Sequence, residues 1–412
     1  MTETHDLEAD VLVVGGGLAG LTLGIALADA GLETAVIDRL DPAATLDTGF
    51  DGRTTALAAG SVRVLDAIGL WPLLAAEAQP ILDIRVADGH PSRGVSSLFL
   101  HYDHREAGRG PMGYIVENRA IRTALYARAA ALPRLHLIAP ALVRDVERTA
   151  ARATATLADG RRVRAALAVA ADGRGSPLRK AAGIPVSELS YGQTAIVCTV
   201  AHECDHAGVA VELFLPGGPF AMLPLTGART NIVWSERADL VPRLLALDDR
   251  DFLAEVARRF GDWLGPLELI GPRFSYPLGL MLAARYTDRR LALIGEAAHV
   301  IHPIAGQGLN LGIRDIAALA EAVVDSRRLG LDPGDAGTLA RYERWRRVDT
   351  LLLAAVTDGM NRLFSNDIAS LRLVRDLGLA AVHRAAPLRR FFMQHAMGFV
   401  GDLPRLVRGE KL

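Results

Sequence analysis

The order of features between Ala9 and Asp38 restricts this chain more than any other part of it. Ala9–Val14 (ADVLVV) is an apolar run suited to a parallel strand buried on both faces. Gly15-Gly16-Gly17-Leu18-Ala19-Gly20 follows at once, with the spacing G-x-G-x-x-G, and leads into a helix-like run to Ala30. A second apolar strand, Thr34–Ile37, ends at Asp38, 18 residues after Gly20. The first glycine permits the tight turn and the second lets backbone approach a pyrophosphate. The third lets helix and strand pack closely, so that the helix amino terminus points at the phosphates. An acid after the second strand accepts hydrogen bonds from ribose hydroxyls. These parts together predict a dinucleotide site. The motif alone does not separate FAD from a nicotinamide dinucleotide, and its place at the start of the chain favours FAD. Val11–Ala28 is uncharged for 18 residues and long enough for a membrane span, but it holds five glycines and its first half reads as a strand.

Two later segments carry related signals. Leu167–Ala170 reads as a strand and runs into Asp172-Gly173-Arg174-Gly175, which on its own fits an ordinary turn. Leu291–Ile294 reads as another strand. It is followed by Gly295-Glu296, by His299, and by His302-Pro303-Ile304-Ala305-Gly306-Gln307-Gly308-Leu309-Asn310-Leu311-Gly312 ahead of a helix over Ile313–Val324. Glycines at 306, 308 and 312 around an amide pair predict a second helix amino terminus presented to a ligand.

In this order the three signatures resemble the glycine-rich fingerprint, Asp-Gly motif and Gly-Asp motif of class A flavoprotein monooxygenases, the family of para-hydroxybenzoate hydroxylase. Within that family the segments Asp51–Trp71, Tyr191–Val200, Gly218–Leu225 and His299–Asp315 are similar to the ubiquinone-biosynthesis hydroxylases. Glu296 departs from the pattern, which usually has Asp there. The resemblance implies FAD as cofactor, with Gly15, Gly17, Gly20, Asp38 and the adjoining Arg39 on its ADP half. Arg53 and Asn118 would lie along pyrophosphate and ribitol, Asp172 by the pyrophosphate, and Glu296 at the ribitol. Gly308, Leu309 and Asn310 would line the flavin ring, and Pro303 would sit on its substrate face. It further implies NAD(P)H as transient reductant and dioxygen as oxidant, with a flavin C4a-hydroperoxide attacking the ring of a polyprenylated phenol. A hydroxylase of small aromatic catabolites and a non-catalytic carrier of prenylated cargo are the alternatives.

The expected architecture is α/β. A Rossmann-like FAD-binding domain is assembled from residues 1–80, 105–183 and 275–345. An inserted antiparallel-sheet substrate domain takes 81–104 and 184–274, and a helical region takes 346–412. Strand-length runs at Gln193–Val200, Val209–Leu215, Phe220–Leu225 and Thr230–Trp234, with turns at Gly217-Gly218 and Thr226-Gly227, carry the inserted sheet. Helices are expected over Leu339–Ala355, Arg362–Asp376 and near Pro387–Met397.

His302 reads as a structural residue or as a relay for a phenolic proton. Tyr191 is a weaker candidate for the same task. Cys198, His202, Cys204 and His206 have the spacing C-x3-H-x-C-x-H, which matches no zinc finger or ribbon, and no metal is expected.

Lys plus Arg number 46 and Asp plus Glu 47, so no global field recruits nucleic acid. With two cysteines no disulfide framework is possible, and a reducing, cytoplasmic setting is expected. From Ser370 onward seven Arg and one Lys face three acids, a local net of +5. Leu388–Met393 there mixes cations with large apolar residues, fitting either a weak contact with an anionic membrane surface or a docked helix with a solvated basic face. Delivery of the lipid-like phenol by other proteins of the ubiquinone pathway is the other route expected.

Overall fold

Strand Leu7–Val14 is the axis of the first sheet in the computed structural model, which describes residues 6–47, 52–90, 94–108, 110–366, 375, 378 and 381–412. It pairs in parallel with Thr34–Ile37 on one side, Val11 opposite Thr34, and with Arg162–Ala170 on the other, Val11 opposite Leu167. Leu135–Ile138 and Leu291–Leu293 extend the parallel order outward on either side. Val11, Leu12 and Val13 are completely buried, as strands covered by helices on both faces require. The helix Leu18–Asp29 packs against Thr34–Ile37 and against two other helices, Asn118–Ala130 and Gln307–Arg328. The uncharged run Val11–Ala28 thus divides into strand, turn and helix. Among the described residues, no helix is long and apolar enough to cross a membrane.

The second sheet has eight strands, in the order His299–Val300, Leu267–Ala283, Val186–His202, Arg229–Arg237, Gly218–Leu225, Val209–Leu215, Asp83–His90 and Gly94–Asp103. Its neighbours run antiparallel, as the alternating runs predict, with one exception: Val209–Leu215 and Asp83–His90 are parallel. That pairing joins segments more than a hundred residues apart in the chain, so no hairpin turn announces it. One face packs on the helix Asp249–Phe260, with Phe220, Trp234 and Phe252 as the fully buried aromatics. The opposite face packs on a small three-stranded sheet of Thr54–Ala58, Gly113–Glu117 and Gln79–Ile81. Asn231 on that face donates to Gly52 O at 3.0 Å and accepts from Thr54 Oγ1 at 3.0 Å.

Helix Ala336–Phe364 runs nine residues beyond the expected end at Ala355. Thr357, Asn361 and Phe364 continue the buried stripe begun by Leu353 and Ala354, and packing along that stripe outweighs the helix-weakening Gly359. The helix is held to Gln307–Arg328 by a buried ion cluster, in which Asp315 accepts from Arg346 Nε at 2.9 Å and from His299 Nε2 at 2.5 Å. Its carboxyl-terminal end is closed by Arg375, which donates to Leu363 O and Phe364 O and pairs with buried Asp88 at 3.0 Å. Of the segments singled out in the sequence, Asp51 and most of the helix expected over Arg362–Asp376 lie outside the described residues.

Candidate active site

The glycine-rich turn sets the site's first wall. Gly15 has φ +105°, and a Cβ there would lie 2.3 Å from Ala171 O; a Cβ on Gly20 would lie 1.8 Å from Gly15 O. Both glycines are therefore demanded by the protein's own packing, which clamps the turn to the start of the Asp172 loop. Gly17 differs: its φ of −71° suits any residue, and a Cβ there would meet no atom within 4 Å. Gly308, in the first turn of Gln307–Arg328, is equally open. No side chain caps the amino terminus of either helix. Each therefore offers free backbone N–H groups beside a cradle that a side chain would fill, which suits the pyrophosphate and ring of a bound dinucleotide.

The third motif joins these two helix ends. A Cβ on Gly295 would lie 3.4 Å from Ala19 Cβ, and one on Gly312 would lie 3.4 Å from Gly295 Cα. Gly295 N also donates to Asp315 at 3.1 Å. Glu296 follows on the exposed side of this turn.

Asp38 accepts from Gly16 N through Oδ2 and from Leu40 N, at 2.7 Å, through Oδ1, so it shapes the turn from below, while Arg39 is exposed beside it. Asp172 Oδ2 accepts from Leu178 N at 3.1 Å, while its buried Oδ1 has no partner among the described residues. Burial, opposed by hydrogen bonds from Ser176 and Leu178, leaves its carboxyl above the usual range. Asn118 is held by Thr55 at 2.6 Å, and Arg53 lies with its guanidinium 6.0 Å from the Tyr276 ring.

The Asn310 side chain is turned to the protein's own backbone. It accepts from Ala58 N at 2.9 Å and donates to Ala56 O at 2.7 Å and Gly306 O at 3.0 Å. The amide is saturated by the protein, which leaves Gly308–Asn310 to present backbone.

His302, next to Pro303 in the chain, is fully buried. Its Nε2 donates to Gln193 Oε1 at 3.3 Å, an oxygen that also accepts from Asn361 Nδ2 at 3.1 Å. Gln193 turns its own amide N–H to Gly217 O at 2.9 Å, so its oxygen must face the imidazole. His302 Nδ1 is left as a buried lone pair without a partner among the described residues. Burial pushes the imidazole down to about 4 against the pull of Asp358, so it stands neutral. Tyr191 meets it edge-on at 5.0 Å, and burial first, then Asp358, pushes that phenol up to about 12. A cavity of about 310 Å³ opens beside this group, between Leu189–Gln193 and Asn361, Arg362 and Ser365. Gln193 and Asn361 are not singled out by the sequence, since their pairing depends on strand and helix meeting 168 residues apart.

Glu212 also escapes the sequence reading, although an acid inside the apolar strand VAVELFL is itself a signal. No hydrogen-bond or ion-pair partner among the described residues reaches it, and burial alone pushes its carboxyl up to about 8.

His202 hydrogen-bonds Cys204 O and Thr230 Oγ1, while His206 bonds Leu225 O and accepts from Gly208 N. Both rings are thus engaged in holding loops, and burial of Cys198 in its strand raises that thiol to about 12.

Comparison with known proteins agrees with this arrangement. The family model described as "FAD binding domain" matches residues 8–347. The ubiquinone hydroxylase UbiL of Rhodospirillum rubrum is 56% identical, over 100% of this chain and 95% of that protein. The 3-demethoxyubiquinol 3-hydroxylase of Escherichia coli is 32% identical, over 94% of this chain and 98% of its own length. The chain belongs to the FAD-dependent ubiquinone hydroxylase family. Among solved structures, p-nitrophenol 4-monooxygenase PnpA of Pseudomonas putida shares the fold, with a TM-score of 0.78 over 95% of this chain and 99% of that one, at 19% identity. As a member of this family of flavin-dependent hydroxylases, the protein uses FAD.

Proposed function

We propose that the protein hydroxylates the aromatic ring of a polyprenylated phenol in ubiquinone biosynthesis, with NAD(P)H as reductant and dioxygen as oxidant. The observation that carries this reading is 56% identity to a ubiquinone hydroxylase along the whole chain, together with the two open helix ends. FAD, when bound, supplies the redox chemistry and the activation of oxygen. Gly15, Gly17, Gly20 and Asp38 would hold its ADP half. Arg53, Asn118, Asp172 and Glu296 would line the pyrophosphate and ribitol, and the backbone of Gly308, Leu309 and Asn310 the ring. Pro303 would close the substrate side of that ring, and His302, neutral with a free lone pair on Nδ1, would accept a hydrogen bond there rather than take up a proton. The apolar residues between the second sheet and this loop keep water from the reacting centre.

The same reading places the protein at the membrane surface from the cytoplasmic side, where a prenylated substrate resides. Leu388, Phe391 and Phe392 on helix Ala386–Ala396 are 42%, 52% and 42% exposed, beside exposed Arg384 and Arg390. Delivery by other proteins of the pathway would serve the same end. The decisive experiment is lipid extraction from a strain lacking the gene. An accumulating polyprenylphenol short of one hydroxyl is expected; an unchanged quinone pool without an accumulating precursor would overturn the reading.

A further inference from the structure

The face of the second sheet turned away from helix Asp249–Phe260 carries a carboxyl that has no partner among the described residues. Along Val209–Leu215 side chains alternate: Val211, Leu213 and Leu215 belong to the apolar cluster around Phe220 and Trp234. Ala210, Glu212 and Phe214 therefore point the other way. Ala210 belongs to a cluster with Met112, Ile115 and Met393, and Phe214 to one with Ile304, the residue after Pro303. Asn231, which reaches Gly52 and Thr54, stands on the same face. Glu212 lies between Ala210 and Phe214, each roughly 7 Å away along the strand. Its neighbours across the sheet are Val86 and Ala221. Its side chain keeps part of its surface accessible beside these apolar neighbours.

An unpaired carboxyl among apolar neighbours is an expensive arrangement unless a ligand completes it. We propose that Glu212 is the substrate's polar anchor, its carboxyl accepting the hydrogen bond of the phenolic hydroxyl while the surrounding Val86, Phe214, Ile304 and Met393 hold the ring and the start of the prenyl tail. This rests on the reading of the protein as a phenol hydroxylase and names a recognition residue for it. No bond is broken in this step; the hydroxyl keeps or shares its proton.

The titratable groups near this face separate cleanly. Burial, opposed by Arg389, pushes the Tyr102 hydroxyl up to about 12, and His302 stands near 4, so neither changes charge around neutrality. Asp88 is paired with Arg375. Glu212, at about 8, is the group that titrates between pH 6.5 and 9, roughly, where a simple phenol stays neutral. The ionised carboxyl accepts more strongly than the neutral acid, so affinity for a phenol should rise with pH through this window.

The test uses the FAD-loaded protein and two probes, 2-allylphenol and its methyl ether 2-allylanisole, with binding read from the flavin absorbance. Wild type should prefer the phenol at least about tenfold, with the preference growing as pH rises. Glu212→Leu should erase that preference with FAD content unchanged. Glu212→Gln, which keeps a hydrogen-bonding group, should bind the phenol within a fewfold of wild type but lose the pH dependence, and it carries the test should the leucine variant fail to fold. An unchanged preference in Glu212→Leu, or an unchanged pH profile in Glu212→Gln, overturns the assignment while leaving phenol hydroxylation intact. Wild type that binds neither probe and hydroxylates no ring overturns both.

Discussion

Asn310 accepts the backbone N–H of Ala58 at 2.9 Å, a bond that joins residues 252 positions apart. With its donation to Ala56 O it fastens the strand Thr54–Ala58 to the loop that begins Gln307–Arg328. One buried amide thus sets the distance between two walls of the candidate flavin site. Asn310→Ala leaves the Ala58 N–H and the Ala56 carbonyl without a partner, each a penalty of about 1–3 kcal/mol. We expect a loss of roughly 2–4 kcal/mol in chemical denaturation, accompanied by weaker FAD retention. A variant as stable as wild type would show that water replaces the amide.

Gly17 and Gly308 give the converse case, because neither is needed for packing. Gly17→Val and Gly308→Leu should fold with near wild-type circular dichroism yet emerge with little flavin, measured as absorbance at the flavin band relative to protein. Stoichiometrically yellow variants would place the cofactor elsewhere. Glu296 sits on the exposed side of its turn, where a shorter acid meets no steric obstacle, so Glu296→Asp should retain FAD.

His302 links burial to pH. Its folded value near 4 lies below the ordinary histidine value of about 6.5, so the fold holds it neutral where the unfolded chain takes up a proton. Its contribution to stability is whole above about pH 6.5 and declines as pH falls towards 4, by on the order of 3 kcal/mol in total. His302→Asn, which can still donate to Gln193, should be less sensitive to acid than wild type over that interval, measured by urea midpoints at several pH values. Parallel pH profiles of the two proteins would mean that the imidazole charges in the folded state.

What the sequence disclosed was local. The turn at Gly15–Gly20, the strands beside it and the Pro303–Asn310 loop all follow from the order of neighbouring residues. The relationships that escaped it are between distant segments: the parallel pairing of Val209–Leu215 with Asp83–His90, and the clamp of Asn310 on Ala56 and Ala58. Glu212 was visible as a misplaced charge, but only the sheet's two-residue alternation shows which face it occupies. Arg389 is a further long-range case. The sequence leaves Leu388–Met393 open between a membrane contact and a docked helix, and Arg389 makes a bidentate pair with Glu106, 283 positions away, at 2.8–2.9 Å.

That pairing changes the membrane experiment. A polyprenyl tail prefers lipid by about 0.8 kcal/mol per buried CH₂, so the substrate is collected from a bilayer or handed over by another protein. On helix Ala386–Ala396 the groups available to a bilayer are Leu388, Phe391, Phe392 and Arg390, since Arg389 is occupied on the Glu106 side. The contact should be weak and screened by salt, because few cations take part and none of the helix inserts across the membrane. We expect wild-type protein to sediment with phosphatidylglycerol-containing liposomes at low salt and to release at high salt. Arg390→Glu with Phe391→Ser and Phe392→Ser should reduce sedimentation severalfold while leaving FAD content and melting temperature near wild type. Arg389→Glu should behave in the opposite way: it opposes Glu106 with a like charge, so it should lower the melting temperature first and affect liposome binding only through that loss. Equal sedimentation of the triple variant and wild type would exclude this helix as the contact. If wild type fails to sediment at any salt, transfer from a partner protein becomes the route by which the phenol arrives.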